Sequence, residues 1–187
     1  MKQNTKDAAT LVCFWLWALL IPVTIPSLAI SAPITAEYIK SMGQHLPPDP
    51  GLAGQKTLIG EDTNHNGVRD DVERWIFASF PDNPVVRAAA LQLAGAMQTV
   101  MSVKSVANSA SIISLKQQIT TALECLLATV DDDPQKTIFR DLQAVIVNTP
   151  DRTALIEQIE AAYPAEGVEF DDPEPTACVV APENLRN

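Results

Sequence analysis

Three proline-marked helix starts divide the middle of this chain and limit what it can fold into. In Asn83-Pro84, Asp133-Pro134 and Thr149-Pro150, a side chain that can cap a helix stands directly before a proline at the first helical position. Apolar residues recur at helical spacing after each start, and the alternation typical of a β-strand does not persist. The sequence therefore predicts an all-α protein, a compact array of about five or six helices.

Apolar stripes and breaking residues give the bounds of these helices. Thr35 is the predicted cap of the first helix, and Pro81 and Pro164 end the second and the last. Gly95 and many alanines in the third helix predict that a neighbouring helix approaches closely. A proline-rich connector over 47–51 follows the first helix. The predicted helical ranges are 35–46, 70–80, 83–107, 111–130, 133–146 and 149–163.

Residues 1–31 have the features of a signal peptide. Lys2 and Lys6 precede a long apolar run over 8–30, and Ala29-Ile30-Ser31 places small residues around a cleavage site after Ser31. The run is also long enough to span a bilayer, so an uncleaved membrane anchor is the alternative. We expect a periplasmic or secreted protein whose residues 32–187 form a single helical domain, with membrane association only if the leader is uncleaved.

The charge balance is acidic. The formal net charge is −10, and removal of the leader, with two lysines and one aspartate, makes it −10 − 1 = −11. A negative surface repels phosphate backbones, which argues against nucleic acid as a partner.

Two cysteines remain once Cys13 leaves with the leader. Cys125 and Cys178 are too few and too far apart for a zinc site. In an oxidising compartment a single pair predicts a disulfide, and two buried free thiols are the alternative. The bond would fix residues 165–187, which their proline and acid content predicts to be an extended acidic tail.

The segment 62–73 carries the clearest chemistry in the chain. Side-chain oxygens stand at its positions 1, 3, 5, 9 and 12, and Gly67 occupies position 6, where a sharp turn is needed. Calcium takes six to eight oxygen ligands, and the backbone carbonyl of position 7 can supply one. A solvated turn that caps a helix is the alternative. The predicted Ca²⁺ ligands are Asp62, Asn64, Asn66, Val68, Asp70 and Glu73.

This pattern resembles the calcium loop of the EF-hand superfamily in its single-copy, exported bacterial form. The resemblance covers the loop and the helix after it. At position 8, Arg69 replaces the aliphatic residue through which paired hands bridge, and the sequence has no second loop of this type. Gly60, just ahead of the loop, argues against a long entering helix. The resemblance implies a calcium ligand set and does not imply a sensor, and we expect the ion to have a structural role.

Two classes of function follow. The first is a non-enzymatic, calcium-stabilised protein that engages another macromolecule, such as a protein of the cell envelope. The second is an envelope hydrolase with carboxylate acid–base residues, for which Glu157 and Glu160 are examples. The sequence contains no phosphate-binding loop, paired-histidine metal motif or known nucleophile motif. A cleft with two close, unpaired carboxylates would favour the enzyme, and an exposed apolar patch would favour the binding protein.

Overall fold

A computed structural model describes residues 34–103, 109–130, 132–162 and 175–186, so the predicted signal peptide lies outside it. The described residues form six α-helices and three short 3₁₀ helices, without a β-strand. The prediction of an all-α fold is confirmed. None of the helices in these ranges is both long and apolar enough to cross a bilayer. The α-helices are α1 (Ala36–His45), α2 (Asp70–Ser79), α3 (Pro84–Val100), α4 (Ser109–Thr129), α5 (Asp132–Ile146) and α6 (Pro150–Ala162).

Side-chain caps fix the start of three helices. The Thr35 hydroxyl accepts from the backbone N–H of Tyr38 at 3.1 Å, and Asn83 Oδ1 accepts from that of Val86, also at 3.1 Å. The Thr149 hydroxyl receives the N–H of Arg152 at 3.3 Å. Each cap satisfies a backbone donor that the first turn leaves without a helical partner. These three predicted starts are confirmed.

Two predicted bounds are wrong. Helix α3 ends at Val100 and not near Ala107. The N–H groups of the next three residues, 101–103, each donate to the carbonyl three residues earlier, those of residues 98–100. This tight turn ends the helix. Helix α5 begins at Asp132, so the predicted cap, Asp133, lies inside its first turn.

Helix α3 is the centre of the fold. It packs against α1, α2, α4 and α5, and its most extensive contact is with α4. Small side chains make this possible, since Ala89, Ala90 and Ala94 are fully buried and let neighbouring backbones come close. A Cβ added at Gly95 would lie 3.7 Å from the Val68 side chain, so the glycine marks where the loop 62–73 packs on α3.

A buried arginine joins the first three helices. Arg87, on α3, donates to the carbonyls of Phe80 at 2.8 Å and Pro81 at 2.6 Å, just beyond the end of α2. It also donates to the carbonyl of Ile39 in α1 at 2.9 Å and lies over the ring of Phe77, 5.5 Å from its centroid. Burial lowers the pKa of its guanidinium, and the carbonyls around it offset part of that cost.

The Cys125–Cys178 disulfide ties the last described segment to α4. The extended acidic tail predicted over 165–187 is not confirmed in its described part, residues 175–186. They make two 3₁₀ helices, Pro175–Ala177 and Pro182–Leu185, and Leu185 is buried in the core. Gln92 of α3 donates to the Ala177 carbonyl and accepts from the Val179 N–H, both at 2.8 Å. The predicted tail residues 165–174 lie outside the described ranges.

Candidate metal centre

Alternate residues of the loop 62–73 turn inward. Residues 62, 64 and 66 are half buried, whereas 61, 63, 65 and 67 are exposed. Two positive φ angles, 56° at His65 and 87° at Gly67, produce this winding. His65 therefore points to solvent. The approach to the loop, 56–61, has no α-helix, as the position of Gly60 predicted.

Glu73 is where the loop converges. It lies in the first turn of α2 and is fully buried. The Asn64 amide donates to its Oε2 at 2.9 Å, and the Asn66 amide donates to its Oε1. The hydroxyl of Tyr38, from α1, donates to the same Oε1 at 2.7 Å. Loop positions 3, 5 and 12 thus meet at a single carboxylate.

Asp62, Asn64 and Asn66 also hold the loop backbone. Asp62 accepts from the N–H groups of Asn66 at 3.2 Å and Gly67 at 2.9 Å. Asn64 Oδ1 accepts from the N–H of Asn66 at 3.1 Å, and Asn66 Oδ1 accepts from that of Val68 at 2.8 Å. These are local turns that Asp and Asn side chains make readily, and they preform the winding.

Asp70 is a buried loop residue whose hydrogen bonding is incomplete, as is that of two buried residues outside the loop, Arg87 and Gln98. The Oδ1 of Asp70 accepts from the N–H of Thr63 at 2.9 Å. Its Oδ2 is buried without a hydrogen-bond partner among the described residues. Such an orphan oxygen is costly, because burial removes its water without replacement.

Burial dominates the electrostatics of this site. Desolvation raises the pKa of Glu73, although hydrogen bonds from Tyr38, Asn66 and Asn64 oppose the shift. Desolvation also raises the pKa of Asp70. The pKa of the Tyr38 phenol is raised, first by burial and then by its bond to Glu73, so the hydroxyl stays a proton donor. Two desolvated carboxylates favour a nearby cation, which would oppose both shifts.

Val68, the predicted carbonyl ligand, has a fully buried side chain that packs on α3 at Gly95. Its neighbour Arg69 is also fully buried, and its guanidinium holds Asp71 through Nε at 2.5 Å and Nη2 at 2.9 Å. Arg69 further donates to the carbonyls of Val145 at 2.9 Å and Ile146 at 3.1 Å. These carbonyls lie in the last turn of α5, where helical donors run out.

A third buried arginine holds the chain just ahead of the loop. Arg152 of α6 donates to the carbonyls of Gly54 at 2.6 Å, Thr57 at 2.8 Å and Leu58 at 3.0 Å. Gly60 completes this segment with a φ of 73°, and a Cβ there would lie 2.2 Å from Arg69 Cδ. Only glycine gives both the backbone conformation and the space for Arg69.

The described residues include no group of three or more His, Cys, Asp or Glu side chains placed to hold a metal ion. The loop side chains that contact Glu73 are the amides of Asn64 and Asn66. The three carboxylates of the predicted ligand set, Asp62, Asp70 and Glu73, are therefore not brought together into such a group in this structure.

The example carboxylates of the hydrolase alternative, Glu157 and Glu160, are both exposed on α6. Glu160 borders a groove of about 270 Å³ between α3, α4, α5 and α6 and is the single carboxylate among the described residues that line it. The groove is otherwise largely apolar: its apolar lining is Met97, Val100, Ile112, Leu115, Ile119, Phe139, Ile156 and Ile159. This composition suits apolar contact better than acid–base chemistry.

Comparison of the chain with protein-family models, curated proteins and solved structures gives no match.

Proposed function

We propose that this chain is an exported helical protein that binds one calcium ion in the loop 62–73, and that the ion has a structural role. The observation that carries the proposal is the convergence of Asn64 and Asn66 on both carboxylate oxygens of Glu73. An EF-hand-like site needs these positions close together, with the last one reaching back from a helix. A turn that served only as a helix cap would not require Glu73 to be buried at its centre.

The donor set fits a hard divalent cation. Asp62, Asp70 and Glu73 supply three formal negative charges, and Asn64, Asn66 and the Val68 carbonyl supply neutral oxygens. The unpartnered Oδ2 of Asp70 is a buried acceptor that a cation, directly or through water, would satisfy. This oxygen atom supports a cation in the loop independently of the sequence pattern.

Calcium binding would require the two asparagine amides to turn. They now present NH₂ groups to Glu73, and metal ligation needs their oxygens. Rotation about the terminal torsion of asparagine is easy, because its energy profile is broad and roughly two-fold. The hydrogen bonds lost in this rearrangement are consistent with the weak affinity expected of extracellular calcium modules, a dissociation constant of about 0.1–1 mM.

Calcium should stabilise the folded chain measurably. At about 1 mM free calcium and a dissociation constant of about 0.1 mM, linkage adds roughly 1.4 kcal/mol to the free energy of unfolding. For a domain of this size, the melting temperature should rise by about 3–5 °C relative to protein in chelator. Glu73→Gln should abolish the difference, because it removes the ligand on which the loop converges. Thermal unfolding followed by circular dichroism measures both effects.

Glu61→Gln is the matched control, since Glu61 is exposed, adjoins the loop and carries the same charge outside the ligand set. Its calcium-dependent shift should equal that of the wild type. Magnesium at equal concentration should act weakly, since it demands a smaller octahedral site. An equal shift from calcium and magnesium in the wild type would mean that the loop is only a helix-starting turn.

The export part of the proposal has its own test. Protein recovered from its native host should lie outside the cytoplasm and begin near Ala32, as cleavage after Ser31 predicts. Amino-terminal sequencing or intact mass measures this directly. A chain that keeps Met1 and stays in membranes through salt and carbonate washes would instead have an uncleaved anchor.

A protein partner in the cell envelope stays a prediction. The apolar groove bordered by Glu160 supports it, because a groove of this composition suits contact with an apolar surface. Co-purification from native envelopes in calcium and in chelator would test whether such a complex exists and depends on the metal.

A further inference from the structure

Tyr38 stands outside the predicted ligand set and yet touches its central member. It lies on α1, ahead of the proline-rich connector, and its backbone N–H is bound by the cap Thr35. Its hydroxyl donates to Glu73 Oε1 at 2.7 Å and accepts from the Asn64 amide at 3.3 Å. A residue far from the loop in sequence therefore contacts loop positions 3 and 12.

We infer that Tyr38 is a positioning residue of the metal site, which orients Glu73 for two-oxygen binding and so favours calcium over magnesium. The inference rests on the proposed calcium site. An ionised carboxylate offers about four lone-pair directions, so one hydrogen bond from a phenol leaves both oxygens able to ligate a cation. The bond fixes the plane of the carboxylate, and its orientation determines whether both oxygens face the ion.

The surroundings of Tyr38 suit this role. Its ring packs against the core, which limits the positions of the hydroxyl. Two arginines hold this part of the chain: Arg87 donates to the carbonyl of Ile39 in α1, and Arg74 donates to that of Pro47 just after the helix, 2.9 Å in each case. The hydroxyl is thus presented by a fixed element, as outer partners of metal-binding carboxylates generally are.

Two cations distinguish positioning from general stabilisation. Calcium accepts a bidentate carboxylate, whereas magnesium keeps several waters and uses one oxygen from each carboxylate. Loss of the Tyr38 hydroxyl should therefore weaken calcium binding and leave magnesium binding nearly unchanged. A variant that merely loosened the fold would weaken both.

The test is calorimetric titration of the full mature chain with calcium and, separately, magnesium. Tyr38→Phe keeps the ring and should raise the calcium dissociation constant about tenfold, the lower end of the effect of losing an outer partner. Thr35→Ala is the matched control, because it weakens α1 at its cap and leaves the hydroxyl in place. It should bind calcium as the wild type does.

Glu73→Asp gives a second, independent measurement. Its shorter carboxylate should not reach the hydroxyl, so adding Tyr38→Phe to it should cause no further loss of calcium affinity. Circular dichroism establishes that each variant is folded.

Wild-type calcium affinity in Tyr38→Phe would overturn the inference and leave the calcium site standing. Equal losses for calcium and magnesium, a matching loss in Thr35→Ala, or an additive loss in the Glu73→Asp background would also overturn it. A wild-type chain that binds no calcium would instead refute the proposed function, and the role of Tyr38 with it.

Discussion

Arg152→Met should lower the free energy of unfolding by about 3–5 kcal/mol, the largest effect expected of a single substitution in this chain. Arg152 is fully buried and is the donor for three backbone carbonyls, those of Gly54, Thr57 and Leu58. Methionine fills part of the space but donates no hydrogen bond. A carbonyl left buried without a partner costs about 1–3 kcal/mol, and this applies in full to Gly54, while the partly buried carbonyls of Thr57 and Leu58 contribute less.

The environment of the Arg152 guanidinium is unfavourable for a charge, so the hydrogen bonds it makes have to offset that cost. Burial lowers the pKa of Arg152, and the nearby Arg69 lowers it further, while Asp71 opposes the shift. An arginine nevertheless stays protonated at any accessible pH, so its charge is always present for these bonds. Its planar guanidinium can donate to several carbonyls at once, whereas the single ammonium group of a lysine could not reach all of them. Arg152→Lys should therefore lose more than half of the stability that Arg152→Met loses.

Arg140→Met is the control for these variants. Arg140 is on the exposed side of α5, where its side chain is 72% exposed and pairs with Asp141. Loss of an exposed pair of this kind changes stability by at most about 1 kcal/mol. Urea unfolding at fixed calcium concentration compares all three variants. A loss of 1 kcal/mol or less in Arg152→Met would show that the segment 54–60 finds other donors.

Local patterns in the sequence account for the helices. The caps Thr35, Asn83 and Thr149 each act on an N–H three residues later, so the information is contained within one turn. The end of α3 was mispredicted, because apolar periodicity continues past Val100 and a tight turn stops the helix there. Hydrogen bonding within that turn prevailed over the hydrophobic pattern.

The contacts around the candidate site could not be predicted from local sequence patterns, because they join residues far apart in the chain. Arginines are usually exposed, so neither Arg69 nor Arg152 signals burial by its type. Their partners are backbone carbonyls 76 to 98 residues away, which no side-chain motif marks. Tyr38 reaches Glu73 across 35 residues for the same reason. One signal did exist: Arg69 stands at position 8 of the loop, where the sequence pattern favours an aliphatic residue, and its guanidinium donates to carbonyls in the last turn of α5.

Loss of the Cys125–Cys178 bond should be the second largest effect. Its sequence separation is 53 residues, and the chain-entropy model assigns a loop of that length about 4 kcal/mol of stabilisation. Cys125→Ala with Cys178→Ala should therefore lower the free energy of unfolding by roughly 4 kcal/mol. Reduced wild-type protein should fall by a similar amount, because it keeps both sulfurs and loses only the bond. Peptide mapping of unreduced protein from its native compartment should recover the two cysteines linked, and two free thiols would contradict the bond.

The folded state should survive this loss, because other contacts hold residues 175–186. Gln92 bonds to Ala177 and Val179, and Leu185 is buried against the core. The disulfide then acts chiefly by restricting the unfolded chain. Gln92→Ala separates the two effects, since it removes both hydrogen bonds and leaves the sulfurs alone. In Gln92→Ala, hydrogen exchange at the Val179 amide should accelerate, and the free energy of global unfolding should fall only modestly. In the reduced wild type, the free energy of global unfolding should fall, but the Val179 amide should stay protected under native conditions. Early exchange at Val179 in the reduced protein would show that the bond itself docks the segment.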